Sequence, residues 1–276
     1  MEAEVLAEPQ ASDSSARRLS RQGRNFRSLA PLLLPFALLA AWEFAADVGL
    51  IAQRVLPAPS SVAVALWRTL EDGSLVEAIT TSSARAIKGL AIGGILGFSL
   101  GVVNGLWRPA ELLLDSTLQM LRNVPHLAII PMVILWFGIG EEAKVFLVAL
   151  GVLFPVYLNT YHGVRTIDPA LPEMGRVYGL GTSALIWRVV LPGALPSVFV
   201  GLRYGLGIMW LTLIVAETIS ASSGVGYMTM NAREFLQTDV VLLGIIVYAL
   251  LGKASDIVAK LLERATLAWH PSFGGR

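Results

Sequence analysis

The 276-residue chain is 55% hydrophobic and only 15% charged, with a mean hydropathy of +0.65. Soluble domains carry about 25% charged residues, so a water-soluble globule is excluded and a polytopic membrane protein is expected. Net charge is +1 and there are no cysteines, which removes disulfides, thiolate metal sites and cysteine nucleophiles.

Residues 1–30 are polar, acids first and then Arg17, Arg18, Arg21, Arg24 and Arg27. Followed by an apolar run from Leu32, they admit a reading as a secretory signal. The polar segment is long for such a signal, however, and the run carries Glu43 and Asp47 near its end. A disordered basic tail ahead of an uncleaved first span is the expectation.

A bilayer-crossing helix needs about 20 mainly apolar residues. That length predicts six spans, at 31–50, 88–106, 117–137, 143–161, 198–216 and 240–262. The expected fold is therefore all-α, a six-helix membrane domain over 31–265 between the tail and a short C-terminal tail at 266–276.

In the second span Gly89, Gly93, Gly97, Gly101 and Gly105 recur every fourth residue. They form one slowly drifting groove on a helix, which lets another backbone approach closely. GFSLG within this run matches the nucleophile-elbow pattern in form only, since Ser99 lies inside an apolar helix rather than on a strand-to-helix turn. Asn104, near the end of this span, reads as interfacial.

Arg122, Asn123, Pro125 and Pro131 interrupt the third span. A proline inside a helix removes a backbone bond, so a break or kink is expected there. Polar groups within spans default to function, which makes Asn123, His126 and Arg122 candidates for lining a pathway. The competing readings are a snorkelling Arg122, an Asn123 that satisfies backbone freed by Pro125, and a packed neutral His126.

Basic residues orient the chain. With the N-terminus inside, the cytoplasmic segments collect the five tail arginines, Arg108, Arg165, Arg176, Arg188, Lys260, Arg264 and Arg276. The opposite side collects Arg54, Arg68, Arg85, Lys144 and Arg233. This bias places both termini in the cytoplasm, with the loop between spans four and five on the same side.

That loop, EMGRVYGLGTSALIWRVVLP from Glu173 to Pro192, is half-polar. Its spacing suits a helix entered at Asp168-Pro169 and Pro172, but Gly179 and Gly181 each cost about 1 kcal/mol relative to Ala. Two short helical pieces joined at the glycines are expected. Such a piece either rests on headgroups or is presented to a cytosolic partner. Glu217 closes the fifth span beside SASSGVG, where one reading is a structural hydrogen-bonding group.

Catalytic and metal sites find no support. His126, His162 and His270 have no metal-ligand spacing, and no phosphate-binding G-x-x-x-x-G-K-[ST] loop exists. GKAS at Gly252 lacks the upstream glycine and sits in an apolar run. No cofactor and no nucleic acid are expected, and the chain should not hydrolyse ATP itself. A secondary transporter or channel for a small anion remains an alternative, although no internal repeat supports it.

The loop residues Glu173-Met174-Gly175, Gly179 and Val189-x-Leu191-Pro192 resemble the EAA loop of ABC-importer permeases, written E-A-A-x3-G-x9-I-x-L-P. Glutamate, glycine and Leu-Pro match at the right spacing, while Met174, Gly175 and Val189 depart from the two alanines and the isoleucine. WEFAADVGLI with LPAPSSV, LRNVPHLAIIPMVILWFGIGEEAK, and LTLIVAETISASSGVGYMTMNAREFLQTD resemble other parts of the same family, so the likeness covers nearly all of the chain after the tail. The branch it most resembles carries aliphatic sulfonates, with taurine and nitrate permeases near it.

This resemblance implies a type I ABC-importer permease of the bacterial inner membrane. Glu173, Met174, Gly175, Arg176, Gly179, Leu191 and Pro192, within a coupling loop at about 163–197, would meet a cytosolic ATP-binding-cassette ATPase dimer. It also implies a second permease copy, an extracytoplasmic solute-binding protein and a lipid environment. The other reading of Glu217, an outer gate region on the pathway, is likewise what the resemblance implies.

Overall fold

The computed structural model describes residues 33–269, which are helical apart from turns and short connections. The chain falls into two compact units, 1–63 and 64–276. In the first, residues 33–47 form α1, and the Glu43 carboxylate accepts the Ser60 N–H at 3.0 Å. That bond satisfies a first-turn donor of α2 (Pro59–Glu71), which has no partner within its own helix. The tail expected over 1–30 lies outside the described residues, as does most of 266–276.

The second unit is built on α3 (Ser74–Leu106), α6 (Glu141–Arg165) and α9 (Leu191–Ser220), with α6 packed against both of the others. Gly89, Gly93, Gly97, Gly101 and Gly105 of α3 all face α6. A Cβ on them would lie 2.4 Å from Val148 Cγ1, 2.2 Å from Ala149 O, 2.5 Å from Leu153 O, 2.6 Å from Thr160 Cβ and 2.7 Å from Val164 Cβ. The α6 backbone at Gly93, Gly97 and Gly101, and the Val148 and Val164 side chains at Gly89 and Gly105, therefore occupy space that any side chain would need, and packing replaces the missing hydrophobic drive between helices in lipid. Gly94, one residue off this seam, has nothing within 4 Å. Ser99 lies within α3, so GFSLG makes no elbow. On the other side of α6, Gly201 of α9 stands where a Cβ would lie 2.7 Å from Asn159 Cβ and 2.8 Å from Pro155 O.

Among the described residues, four helical stretches are long and apolar enough to cross a bilayer: Ser74–Leu106, Glu141–Arg165, Thr182–Ser220 and Thr238–Thr266. They contain the predicted second, fourth, fifth and sixth spans. The predicted first span begins among residues that are not described.

The third is interrupted rather than continuous. The amphipathic helix α4 (Arg108–Arg122) stops, residues 123–129 form turns, and α5 (Ile130–Phe137) restarts with Pro131 in its first turn, where a missing N–H costs nothing. Its 8 residues reach only about 12 Å at about 1.5 Å each, well short of a bilayer.

The other revision concerns the fifth span, which starts at about 198 by sequence. The helix instead runs from α8 (Thr182–Leu185) through a π-helical turn, Ile186–Val190, directly into α9. In that turn Leu191 N–H reaches Ile186 O, one residue further than in an α-helix. The wider turn precedes Pro192, which has no donor to contribute. Two further helices, α10 (Val225–Glu234) and α11 (Thr238–Thr266), pack on α9 and on each other.

Candidate coupling loop and buried ion cluster

Between α6 and α8 lies α7 (Ala170–Val177), introduced by Asp168, whose Oδ1 accepts the Ala170 N–H at 2.9 Å. Its end is closed by a pair of bonds. Leu180 N–H donates to Gly175 O at 3.0 Å and Gly179 N–H to Arg176 O at 2.9 Å. This is the Schellman closure, which requires a left-handed residue at its turn. Gly179 supplies it with φ +80°, and no neighbour lies within 4 Å of its would-be Cβ. The glycine thus serves the bend, not a close approach.

Gly175 is the opposite case. It is buried, and a Cβ would lie 3.0 Å from Leu185 Cδ1 and 3.3 Å from Leu180 Cδ1. Leu185, Val190, Val164 and Ala194 form an apolar cluster with Leu180, Ile167 and Val102 packed on it. The cluster seats the loop on the ends of α3, α6 and α9. Outward, the loop presents Glu173, Met174, Arg176, Val177 and Tyr178, all exposed. Glu173 and Arg176 make no side-chain hydrogen bond or ion pair among the described residues. Leu191 and Pro192 lie within the helical run, half-buried, at the start of α9.

Polar contacts fix α4 beside this end. Glu111 accepts from Tyr161 Oη at 2.6 Å and from Arg165 Nη2 at 2.6 and 2.5 Å. These bonds, Tyr161 first, hold the Glu111 carboxyl below the usual carboxylate range. Asn104 is fully buried rather than interfacial, donating to Tyr157 Oη at 2.9 Å, which in turn donates to Asp115 at 3.1 Å.

The three third-span candidates do not converge. Arg122 is exposed at the end of α4. Asn123 donates to Gln119 O at 2.9 Å and so caps that helix. His126 alone turns inward, its Nε2 lying 3.0 Å from Thr212 Oγ1 of α9.

Glu217 stands at the far end of the unit. Its carboxylate accepts from Ser82 Oγ at 2.8 Å, Arg85 Nη1 at 2.7 Å, the Gly226 N–H at 2.9 Å and Tyr248 Oη at 2.7 Å. Gly224 has φ +101°, and a Cβ there would lie 2.5 Å from Glu217 Oε1. The Ser222–Gly226 backbone therefore wraps the carboxylate in a way only glycine permits. Arg85 extends the cluster to Glu141 and to Ser223. One buried ion pair thus ties α3, α6, α9, α10 and α11 together. Glu141 and Arg165 are the two ends of α6, 25 residues or about 37 Å at about 1.5 Å each, so the cluster and the loop lie at opposite ends of the fold.

The family model described as "Binding-protein-dependent transport system inner membrane component" matches residues 89–267. The chain belongs to this family.

These ABC-importer permeases are multi-pass inner-membrane subunits, not enzymes, which work with an ATPase partner and a substrate-binding protein. Membership sets aside the secondary-transporter and channel reading. Among curated relatives, the aliphatic sulfonates transport permease protein SsuC of Escherichia coli is 58% identical over 89% of this chain and 93% of its own. The SsuC protein of Bacillus subtilis is 41% identical over the full length of both chains, and the taurine transport system permease protein TauC of E. coli is 35% identical over 84% and 86%. Among solved structures, an inward-facing MetNI methionine ABC transporter superposes with TM-score 0.54 at 20% identity, over 68% of this chain and 95% of that one. An amino acid ABC transporter crystallised with histidines gives 0.58 at 16% identity, over 72% and 97%. At that identity the likeness is one of fold.

Sequence reading missed Arg85, Lys144, Ser82 and Tyr248 in this permease. The sequence places Arg85 and Lys144 among the charges of one side of the membrane, whereas both are buried, Arg85 well inside α3 and Lys144 in the first turn of α6. The signal available was their place, a few residues ahead of a glycine seam and just after Glu141-Glu142.

Proposed function

We propose that this chain forms the translocation pathway of an ABC importer for aliphatic sulfonates, as a pair of identical copies, with both termini in the cytoplasm. Six spans per copy, with α4, 123–129 and α5 shielded by neighbouring helices, suit that architecture. The sulfonate assignment is supported by likeness to the two SsuC permeases. The orientation is supported by the bias of arginine and lysine towards the segments that include the 173–192 loop.

In this reading Glu173, with Met174, Arg176, Gly175, Gly179 and the Leu191-Pro192 corner, carries the push of the ATPase into α9. The observation that carries it is the loop's construction. A short helix closed at Gly179 displays Glu173, without a polar partner among the described residues, beside exposed Met174, Val177 and Tyr178, while its base is fixed into the apolar cluster around Leu185. Because α8, the π-turn and α9 form one helical run, displacement at the loop is transmitted along a rigid element. His126, through Thr212, is the third-span residue placed to sense it. Asn123 and Arg122 border the same broken segment, and Glu217 holds the opposite mouth.

The test is transport in proteoliposomes containing this permease, its ATPase and its binding protein. ATP-dependent uptake of labelled ethanesulfonate, with taurine and nitrate taken up at least tenfold more slowly, supports the assignment. Equal uptake of nitrate, or uptake without ATP, overturns it.

A further inference from the structure

The Glu141 carboxylate is gripped by two cations far less exposed than itself. Arg85 donates Nε to Oε2 and Nη2 to Oε1, each at 2.5 Å, and Lys144 donates Nζ to Oε1 at 3.1 Å. The Glu141 side chain is 59% exposed, those of Arg85 and Lys144 2% each. The remaining Arg85 donors go to Glu217 and to Ser223 O and Oγ, so the guanidinium is fully used. Lys144 is not. Among the described residues Glu141 is its one partner, so two of its three N–H donors meet no protein acceptor. A carboxylate brings two oxygens to this position, and both already accept from Arg85. A three-oxygen anion would bring one acceptor more than the Glu141 carboxylate does.

We infer that Arg85 and Lys144 form an oxyanion seat, filled by Glu141 in this conformation, which receives a singly charged three-oxygen anion such as an alkanesulfonate when Glu141 swings into solvent. With Glu141 gone, Arg85, Lys144 and Glu217 leave one net positive charge, which suits a monoanion. Glu141 is already more than half exposed, so its carboxylate can leave at small desolvation cost while the cations stay in place. The sulfonate's third oxygen then takes the idle Lys144 donors. The seat lies at the end of α6 remote from the coupling loop, where a delivered anion would enter. Its cargo rests on the sulfonate reading above.

The experiment uses the assembled transporter in lipid nanodiscs and follows its thermal midpoint with added ethanesulfonate. Glu141→Gln empties the charge from the seat without changing its shape. The expected result is half-maximal stabilisation at a concentration at least tenfold lower than for the native complex, abolished in Glu141→Gln/Lys144→Met. A Glu141→Gln complex that responds to ethanesulfonate no more than to sodium chloride at equal ionic strength overturns the seat.

Should Glu141→Gln fail to assemble, Glu141→Cys supplies the only thiol in the chain. The sulfonatoethyl adduct is expected to restore the native midpoint and the aminoethyl adduct to lower it; equal midpoints for the two overturn the proposal. Ethanesulfonate uptake by the native complex separates the two ideas. A failed seat with intact uptake removes this inference alone, and a working seat without uptake removes the cargo assignment.

Discussion

Arg85 Nη1 and Glu217 Oε1 meet at 2.7 Å across the α3–α9 contact, with side chains 2% and 0% exposed. Withdrawing both charges from water costs more than their attraction returns unless the remaining donors and acceptors are satisfied. Here Ser82, Gly226, Tyr248 and Ser223 do that.

Glu217→Gln is accordingly expected to destabilise the protein by about 3–5 kcal/mol, the range for breaking a buried pair. The Arg85→Met/Glu217→Leu double variant should lose less than the two single variants added together, because it leaves no lone charge. Denaturation of the four variants in detergent checks both statements. Strict additivity contradicts the coupling.

The α3–α6 seam makes a prediction with its own control. Gly93→Ala puts a Cβ at 2.2 Å from Ala149 O and should cost about 1–3 kcal/mol or more by overpacking. Gly94→Ala meets open space and should be neutral or stabilise by up to about 1 kcal/mol through helix propensity. Thermal midpoints of the two proteins decide it.

Gly179 and Gly181 are two residues apart but differ in backbone. Gly179 has φ +80°, whereas Gly181 has φ −68° and ψ 164°, open to any residue. Gly179→Ala should cost about 1–2 kcal/mol in the loop and weaken ATPase binding severalfold, while Gly181→Ala leaves binding unchanged. Equal effects on a pull-down titration count against the Schellman closure.

Glu111 gives a pH dependence. Because hydrogen bonds from Tyr161 and Arg165 depress its pKa in the folded protein, its contribution is fully present above the ordinary value of 4.5. It is lost as pH falls through the lower folded value. The stability gap between native protein and Glu111→Gln should be level from neutrality to about pH 5 and close below about pH 4. A gap that widens on acidification would falsify this assignment.

Much of this arrangement was legible in the sequence. The fourth-residue glycine period pointed to a close helix contact, Pro125 and Pro131 to a break, and Gly179 to the turn after α7. What was hidden depended on contacts distant in sequence. Arg85 and Glu217 are 132 residues apart, and only the packing of α3 on α9 brings them together. Arg85 and Lys144 read as surface charges because charge count cannot distinguish a snorkelling cation from one sealed under a carboxylate. The fifth helix starts earlier than the 198 expected from where the apolar run begins, because the π-turn that joins α8 to α9 leaves no mark in composition.

The most direct test addresses Glu173, whose exposed side chain makes no hydrogen bond or ion pair among the described residues. Glu173→Ala should leave the thermal midpoint of the isolated permease within about 0.5 kcal/mol equivalent of the native protein, as for a surface change. In the reconstituted complex the same change should abolish ATP-driven uptake and reduce co-purification of the ATPase at least tenfold. Normal uptake and normal ATPase retention in that variant would contradict the assignment of this loop as the point where hydrolysis is felt.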